Sequence, residues 1–191
     1  MTKEELRKIY LQKRLSLSEA EYAQLNFQLF EKFFTSVDLS SVKILSTFLP
    51  LEKNKEPDTW LIIDRIRKEF PHIRISVPRV NDQTGELENF FFQGQDQLQK
   101  NKWGIQEPKH GIPIDPAQFD LVLIPMLIFD KNGHRVGYGK GFYDKLLVSC
   151  KPSCYRVGLS FYPPVETIED INGHDQVLTK VITPENVFNF Y

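Results

Sequence analysis

The run Leu121-Val122-Leu123-Ile124, opened by Asp120 and closed by Pro125, limits the fold of this chain more than any other segment. Four apolar residues in a row leave no polar face, so a strand made of them must be covered on both sides. Covered strands of that kind belong to parallel sheets flanked by helices. The rest of the chain alternates accordingly. Val42 to Leu49 is a short apolar run ending at Pro50, Ile73 to Val77 alternates and ends at Pro78, and Tyr155 to Leu159 and Val177 to Thr183 read as further strands. Between them lie helical patterns over 3–15, from 19 to about 34, over 58–70 and over 142–149. Ser18 with Glu21 forms a capping-box signature, and Asp58 is the expected cap of the third helix, which must stop before Pro71. Asn81, Asp82 and Gly85 mark a turn before Leu87 to Phe92, which predicts a hairpin or flap. The expected fold is α/β: three layers, α/β/α, around a mostly parallel central sheet with a small hairpin insertion. At 191 residues, with no repeat or long linker, residues 1–191 read as a single domain.

Charge and composition narrow the function. Lys plus Arg is 24 and Asp plus Glu is 25, so there is no bulk basic excess of the kind that nucleic-acid binding needs. The longest apolar run, Leu121 to Phe129, has nine residues, far short of the roughly 20 that span a bilayer. The N-terminus Met1-Thr2-Lys3-Glu4-Glu5-Leu6-Arg7 carries mixed charge with no apolar segment after it, which predicts no secretory signal. Cys150 and Cys154, the two cysteines, are too few for a disulfide framework and badly spaced for zinc, so a reducing cytoplasm is expected. With no heptad pattern or long apolar edge, the expectation is a monomer that acts on small molecules, not on nucleic acid or membrane.

In open parallel sheets, ligands bind beyond the carboxyl ends of the strands. Pro50 and Pro125 stand at two such ends, and a third leads to Arg135-Val136-Gly137-Tyr138-Gly139-Lys140-Gly141-Phe142-Tyr143-Asp144. Alternating glycines before a helix start allow positive φ and close approach of a ligand, and successive backbone N–H groups there form an anion nest. Arg135 and Lys140 add positive charge for a polyphosphate. Asp144, one turn into the helix, could hold a metal that bridges phosphate oxygens. The segment is neither a Walker A loop, since His134 and Gly141 occupy key positions, nor a dinucleotide fingerprint, since Phe142 or Asp144 takes the last glycine position.

The same residues resemble the signature of the 5-formyltetrahydrofolate cyclo-ligase family. The resemblance extends in order over nearly the whole chain: Lys3-x-x-x-Arg7, Phe48-Leu49-Pro50 with Glu56, Val77-Pro78-Arg79, Trp103-Gly104-Ile105 with Pro108, Asp120 to Pro125, Gly158-Leu159, His174-Asp175 and Val181-Ile182-Thr183. It implies ATP-dependent conversion of 5-formyltetrahydrofolate to 5,10-methenyltetrahydrofolate, with ATP as co-substrate and Mg²⁺ as cofactor. By this likeness Lys3 and Arg7 reach the ATP phosphates, and Arg135, Val136, Gly137, Tyr138, Gly139, Lys140, Gly141, Phe142 and Tyr143 form the nucleotide loop. Leu51, Glu56 and Trp103 contact the folate together with Tyr138 to Phe142. Asp144 and Asp175 hold the magnesium, and Arg135 and Lys140 are the expected catalytic cations. Two departures stand out: Phe142 occupies a position where many relatives have Tyr, and Tyr138 one where some have Arg. A cationic role at 138 would then pass to Lys140 or Arg135. From the residues alone, the loop also suits a phosphate-handling enzyme that does not use ATP, or a non-catalytic binder of folate or nucleotide.

Overall fold

The computed structural model describes residues 1–190. Two capping boxes start the chain. Helix α1, Lys3–Leu15, begins where the Thr2 hydroxyl accepts from the Glu5 N–H while the Glu5 carboxylate accepts from the Thr2 N–H; Ser18 and Glu21 repeat this at α2, Glu19–Ser36. Strand β1, Ile44–Ser46, is shorter than its apolar run. Helix α3, Trp60–Glu69, starts one residue later than its cap signature, at Thr59. The Thr59 hydroxyl is drawn inward to donate to the Phe48 carbonyl at 2.7 Å, and the Asp58 carboxylate accepts from the Trp60 N–H instead.

Strand β2, Arg74–Asn81, runs straight through Pro78, where the sequence suggested a stop. The reason lies in the pairing. β1 accompanies β2 only as far as Ser76, so Pro78 lies beyond the parallel ladder, where a missing N–H costs little. From there β2 continues as a hairpin with β3, Glu86–Phe91, closed by Gly85 at φ 68°. A second hairpin, β4 Leu98–Lys100 with β5 Gln106–Pro108, carries Trp103 at its tip; polar composition hid it in the sequence. Then come β6, Leu121–Ile124, and a small ribbon of β7, Ile128–Phe129, with β8, Arg135–Val136. Helix α4 covers Phe142–Ser149, as the sequence predicts, and β9, Tyr155–Leu159, β10, Lys180–Ile182, and β11, Val187–Asn189, complete the chain.

The main sheet has seven strands in the order β11-β10-β9-β6-β1-β2-β3. The five inner strands are parallel and the two edges antiparallel. β6 sits at the centre with all four residues fully buried. Its side chains divide by period two: Leu121 and Leu123 pack with Leu29, Phe33, Ile62, Ile63 and Ile66 of α2 and α3, while Val122 and Ile124 pack with Leu146 and Leu147 of α4. That is the three-layer arrangement. From β1 the sheet grows one way to β2, and from its neighbour β6 the other way to β9 and β10. The crevice between the carboxyl ends of β1 and β6 is therefore the topological switch point.

Candidate active site

A cavity of about 940 Å³ opens at that crevice. Its walls come from the loops after β1 and β6, the start of α1, the glycine loop with α4, the 172–176 loop and both hairpins. Its two sides differ in chemistry.

On the first side, charges gather around the glycine loop. Gly139 and Gly141 sit at φ 85° and 69°, in the left-handed region that favours glycine, and Gly141 begins α4. The Arg7 Nε donates to the Gly137 carbonyl at 2.9 Å, and the guanidinium lies so close to Gly139 that an added Cβ would be 3.2 Å from Nη2. Arg135 Nη2 donates to Asp144 Oδ1 at 2.8 Å, and its Nη1 to the Gln176 carbonyl at 2.7 Å. Lys3 Nζ donates to Asp175 Oδ2 at 2.5 Å. Burial pushes the Asp175 carboxyl up, but Lys3, the Asn172 N–H and Arg135 outweigh it and hold the group below its ordinary value. Lys140 is exposed and has no ion-pair partner among the described residues.

On the second side the walls are apolar and aromatic: Phe48, Leu49, Pro78, Val80, Leu87, Trp103, Ile105, Phe142 and Val148. Asn101 shapes the tip of the second hairpin, its Oδ1 accepting from the N–H groups of Trp103 and Ile105 at 3.0 and 3.1 Å. Glu56 lies where the two sides meet, 4% exposed. Its Oε2 accepts from the Leu51 N–H at 2.6 Å. Burial raises the Glu56 pKa; the Leu51 N–H, Arg14 and Tyr138 work against that. Burial likewise raises the phenols of Tyr138 and Tyr143, and the nearby Glu56 charge adds to the effect, so both stay protonated at neutral pH.

Of the residues expected at the site, Lys3, Arg7, Leu51, Glu56, Trp103, Arg135, Gly137, Tyr138, Gly139, Lys140, Gly141, Phe142, Tyr143, Asp144 and Asp175 all line this one cavity. Val136 stands apart. Its side chain is buried with Leu6, Ile128 and Ile168, so only its backbone can serve a ligand. Arg135 and the two aspartates arrive already paired, an arrangement that spacing does not reveal. Arg14 is not among the residues that sequence reasoning singles out, although its side chain is buried and hydrogen-bonds to the Tyr138 hydroxyl. The signal was present: Leu6, Tyr10 and Arg14 recur every four residues along the buried stripe of α1.

A mostly parallel sheet with a glycine-rich, cation-flanked loop at its switch point, beside an aromatic compartment, is the framework of an α/β enzyme whose site has a charged half and an apolar half. The sequence profile of the 5-formyltetrahydrofolate cyclo-ligase family matches residues 1–184. The mouse 5-formyltetrahydrofolate cyclo-ligase is 29% identical over 186 residues, 90% of this chain and 89% of its own. A probable 5-formyltetrahydrofolate cyclo-ligase of Schizosaccharomyces pombe is 30% identical over 148 residues, 70% of this chain and 71% of its own. Among solved structures, the 5,10-methenyltetrahydrofolate synthetase of Aquifex aeolicus matches with a TM-score of 0.81 and 26% identity, covering 99% of this chain and 93% of that one. The fold is also that of the Mycoplasma pneumoniae 5,10-methenyltetrahydrofolate synthetase, with a TM-score of 0.72 over 96% of this chain and 99% of that one. The chain belongs to the 5-formyltetrahydrofolate cyclo-ligase family.

Proposed function

We propose that this protein cyclises 5-formyltetrahydrofolate to 5,10-methenyltetrahydrofolate, consuming ATP and releasing ADP and phosphate. The observation that carries this reading is the single loop, Gly137 to Tyr143, that lines both sides of one cavity. A nucleotide γ-phosphate held on its N–H groups would lie next to a reduced pterin held against Phe142 and Trp103. The N5-formyl group is an amide whose oxygen leaves poorly. Transfer of the γ-phosphoryl group to that oxygen makes a phospho-imidate; N10 then attacks the formyl carbon and gives up its proton to solvent, the ring closes, and phosphate departs as the carbon–oxygen bond breaks. This chemistry needs in-line positioning and charge neutralisation more than a protein nucleophile. Lys140, which has no ion-pair partner among the described residues, and Arg135, Arg7 and Lys3, which line the same cavity, would neutralise the phosphates. Leu51 and Glu56 would orient the folate.

The acidic residues fit magnesium. Asp144 commits Oδ1 to Arg135 and the Gln176 N–H, and Asp175 commits Oδ2 to Lys3 and the Asn172 N–H. Among the described residues the second oxygen of each carboxylate has no donor, and no cluster of three His, Cys, Asp or Glu side chains could hold a metal without help. That suits an ion that takes most of its ligands from phosphate and water. Bound there, it would offset the charge of the triphosphate. A monomer working in the cytoplasm completes the proposal: both cysteines are free, and no helix among the described residues is long and apolar enough to cross a membrane.

The test is direct. Purified protein with 5-formyltetrahydrofolate, ATP and Mg²⁺ should accumulate methenyltetrahydrofolate absorbance, with one ADP per product. Turnover indifferent to ATP, or binding of both ligands without ADP release, would overturn the reading.

A further inference from the structure

Arg14 is 2% exposed, yet among the described residues no carboxylate pairs with it. Its Nε donates to the Asn54 carbonyl at 2.7 Å, Nη1 to the Met126 carbonyl at 3.1 Å, and Nη2 to the Tyr138 hydroxyl. Asn54 lies in the loop after β1, Met126 in the loop after β6, and Tyr138 in the glycine loop. One guanidinium thus joins the three loops that meet at the switch point. An arginine does not lose its proton, and a bare buried charge is costly, so it requires compensation. The nearby anion is Glu56, itself buried, whose carboxylate accepts from the Leu51 N–H in the same loop that Arg14 grips at Asn54. The groups that bear on Glu56 are the Leu51 N–H, Arg14, Tyr138, Tyr143 and Tyr22. Tyr22 also donates its hydroxyl to the Glu56 backbone carbonyl at 2.6 Å. Arg14 is the one cation in that set.

We infer that Arg14 is a positioning residue for the cyclisation: its guanidinium clamps the three site loops together and, by gripping Asn54 in the loop whose Leu51 N–H binds Glu56, holds the Glu56 carboxylate in place as acceptor for the folate. Arg14 does not line the cavity and touches no substrate. A planar fork with several donors at fixed angles suits three acceptors in different directions; a lysine ammonium on a flexible stem does not reproduce it. The inference rests on the cyclo-ligase reading for the identity of the ligand.

The experiment compares wild type, Arg14→Met, Arg14→Lys and Tyr138→Phe in the ATP-dependent assay, with circular dichroism to confirm folding. 5-Formyltetrahydrofolate binding is measured separately without ATP. Arg14→Met should lose on the order of 100-fold in kcat/KM for the folate, the size expected when a site group is displaced. The KM for ATP should stay within about threefold, since that side keeps its own cations. Arg14→Lys should recover little. Tyr138→Phe, which removes one hydroxyl and spares the buried cation, should lose about 10-fold in the same direction. Without Arg14, burial acts on Glu56 less opposed, so the acidic limb of the folate kcat/KM profile should move to higher pH in Arg14→Met. A structural role alone would not produce that shift. The inference is overturned if folded Arg14→Met and Tyr138→Phe bind and use the folate as wild type does, or if the loss falls equally on ATP. If wild type binds the folate but does not convert it, the cyclo-ligase reading fails while binding still tests Arg14. If wild type does not bind it, both fall. If Arg14→Met does not fold, Tyr138→Phe decides alone.

Discussion

On the proposed phosphate side of the cavity, Lys3 meets Asp175 at 2.5 Å and Arg135 meets Asp144 at 2.8 Å, with the two aspartate side chains 17 and 26% exposed. On the proposed folate side, Arg14 and Glu56 are 2 and 4% exposed, Arg14 bonded to the Tyr138 hydroxyl and to the Asn54 carbonyl and Glu56 to the Leu51 N–H. Arg135 itself is only 6% exposed, so Lys3–Asp175 is the more open of the two pairs; a partly open pair of that kind contributes up to about 1 kcal/mol, and in the proposed reading an incoming triphosphate takes Lys3 from its aspartate at small cost. A buried charge stripped of its counter-charge costs about 3–5 kcal/mol, so the Arg14–Tyr138–Glu56 set does not exchange partners. One side is made to be rearranged by its ligand, and the other is fixed before the ligand arrives.

That contrast can be broken in order of effect. Glu56→Gln attacks the fixed side: it should cost about 3 kcal/mol in urea unfolding, because Arg14 loses its counter-charge, and lower folate kcat/KM by at least about 100-fold. A stable variant with normal folate use would show that the set is not coupled. Lys140→Ala attacks the adaptable side. It should lose about 30-fold in kcat/KM for ATP, as for one charge-assisted hydrogen bond, with the unfolding midpoint unchanged because the side chain is exposed. Equal loss of stability and activity would contradict that. Gly139→Ala places a Cβ 3.2 Å from Arg7 Nη2 at φ 85°. It should cost about 1 kcal/mol of strain and raise the ATP KM about 10-fold, read by thermal unfolding and steady-state kinetics. Lys3→Met should change least, less than about 1 kcal/mol at neutral pH. The sign follows from Asp175. Its folded pKa is depressed, so the pair stabilises above the ordinary aspartate pKa of about 4, and that gain is lost as pH falls through the depressed value. Urea unfolding of the two proteins should therefore converge in acid; a difference that persists there would place the effect elsewhere.

How much of this was legible depends on whether local rules decided the outcome. The Ser18–Glu21 capping box, α4 at Phe142–Ser149 and β9 at Tyr155–Leu159 follow from cap chemistry, a glycine run leading into the helix and apolar periodicity, all local. Pro78 misled because its tolerance depends on where β1 ends, a pairing the sequence does not display. The second hairpin was hidden because its strands are short and polar and gain stability from contact with β2. At the site, most residues the family pattern names line one cavity, Trp103 among them. It did not reveal that Asp144 and Asp175 each hold a cation, nor that the cation next to Tyr138 is Arg14 from a helix 124 positions earlier, rather than Lys140 or Arg135. Composition counts charges; only the fold decides which are buried together.

The central claim is that one glycine loop serves two chemically separate compartments. Apparent KM values for ATP and for 5-formyltetrahydrofolate, measured in Lys140→Ala and Glu56→Gln under identical conditions, test it most directly. The prediction is a crossed pattern: Lys140→Ala raises the ATP value, Glu56→Gln raises the folate value, and each leaves the other within about threefold. If both variants raise both values alike, the cavity is not divided in this way and the account is wrong.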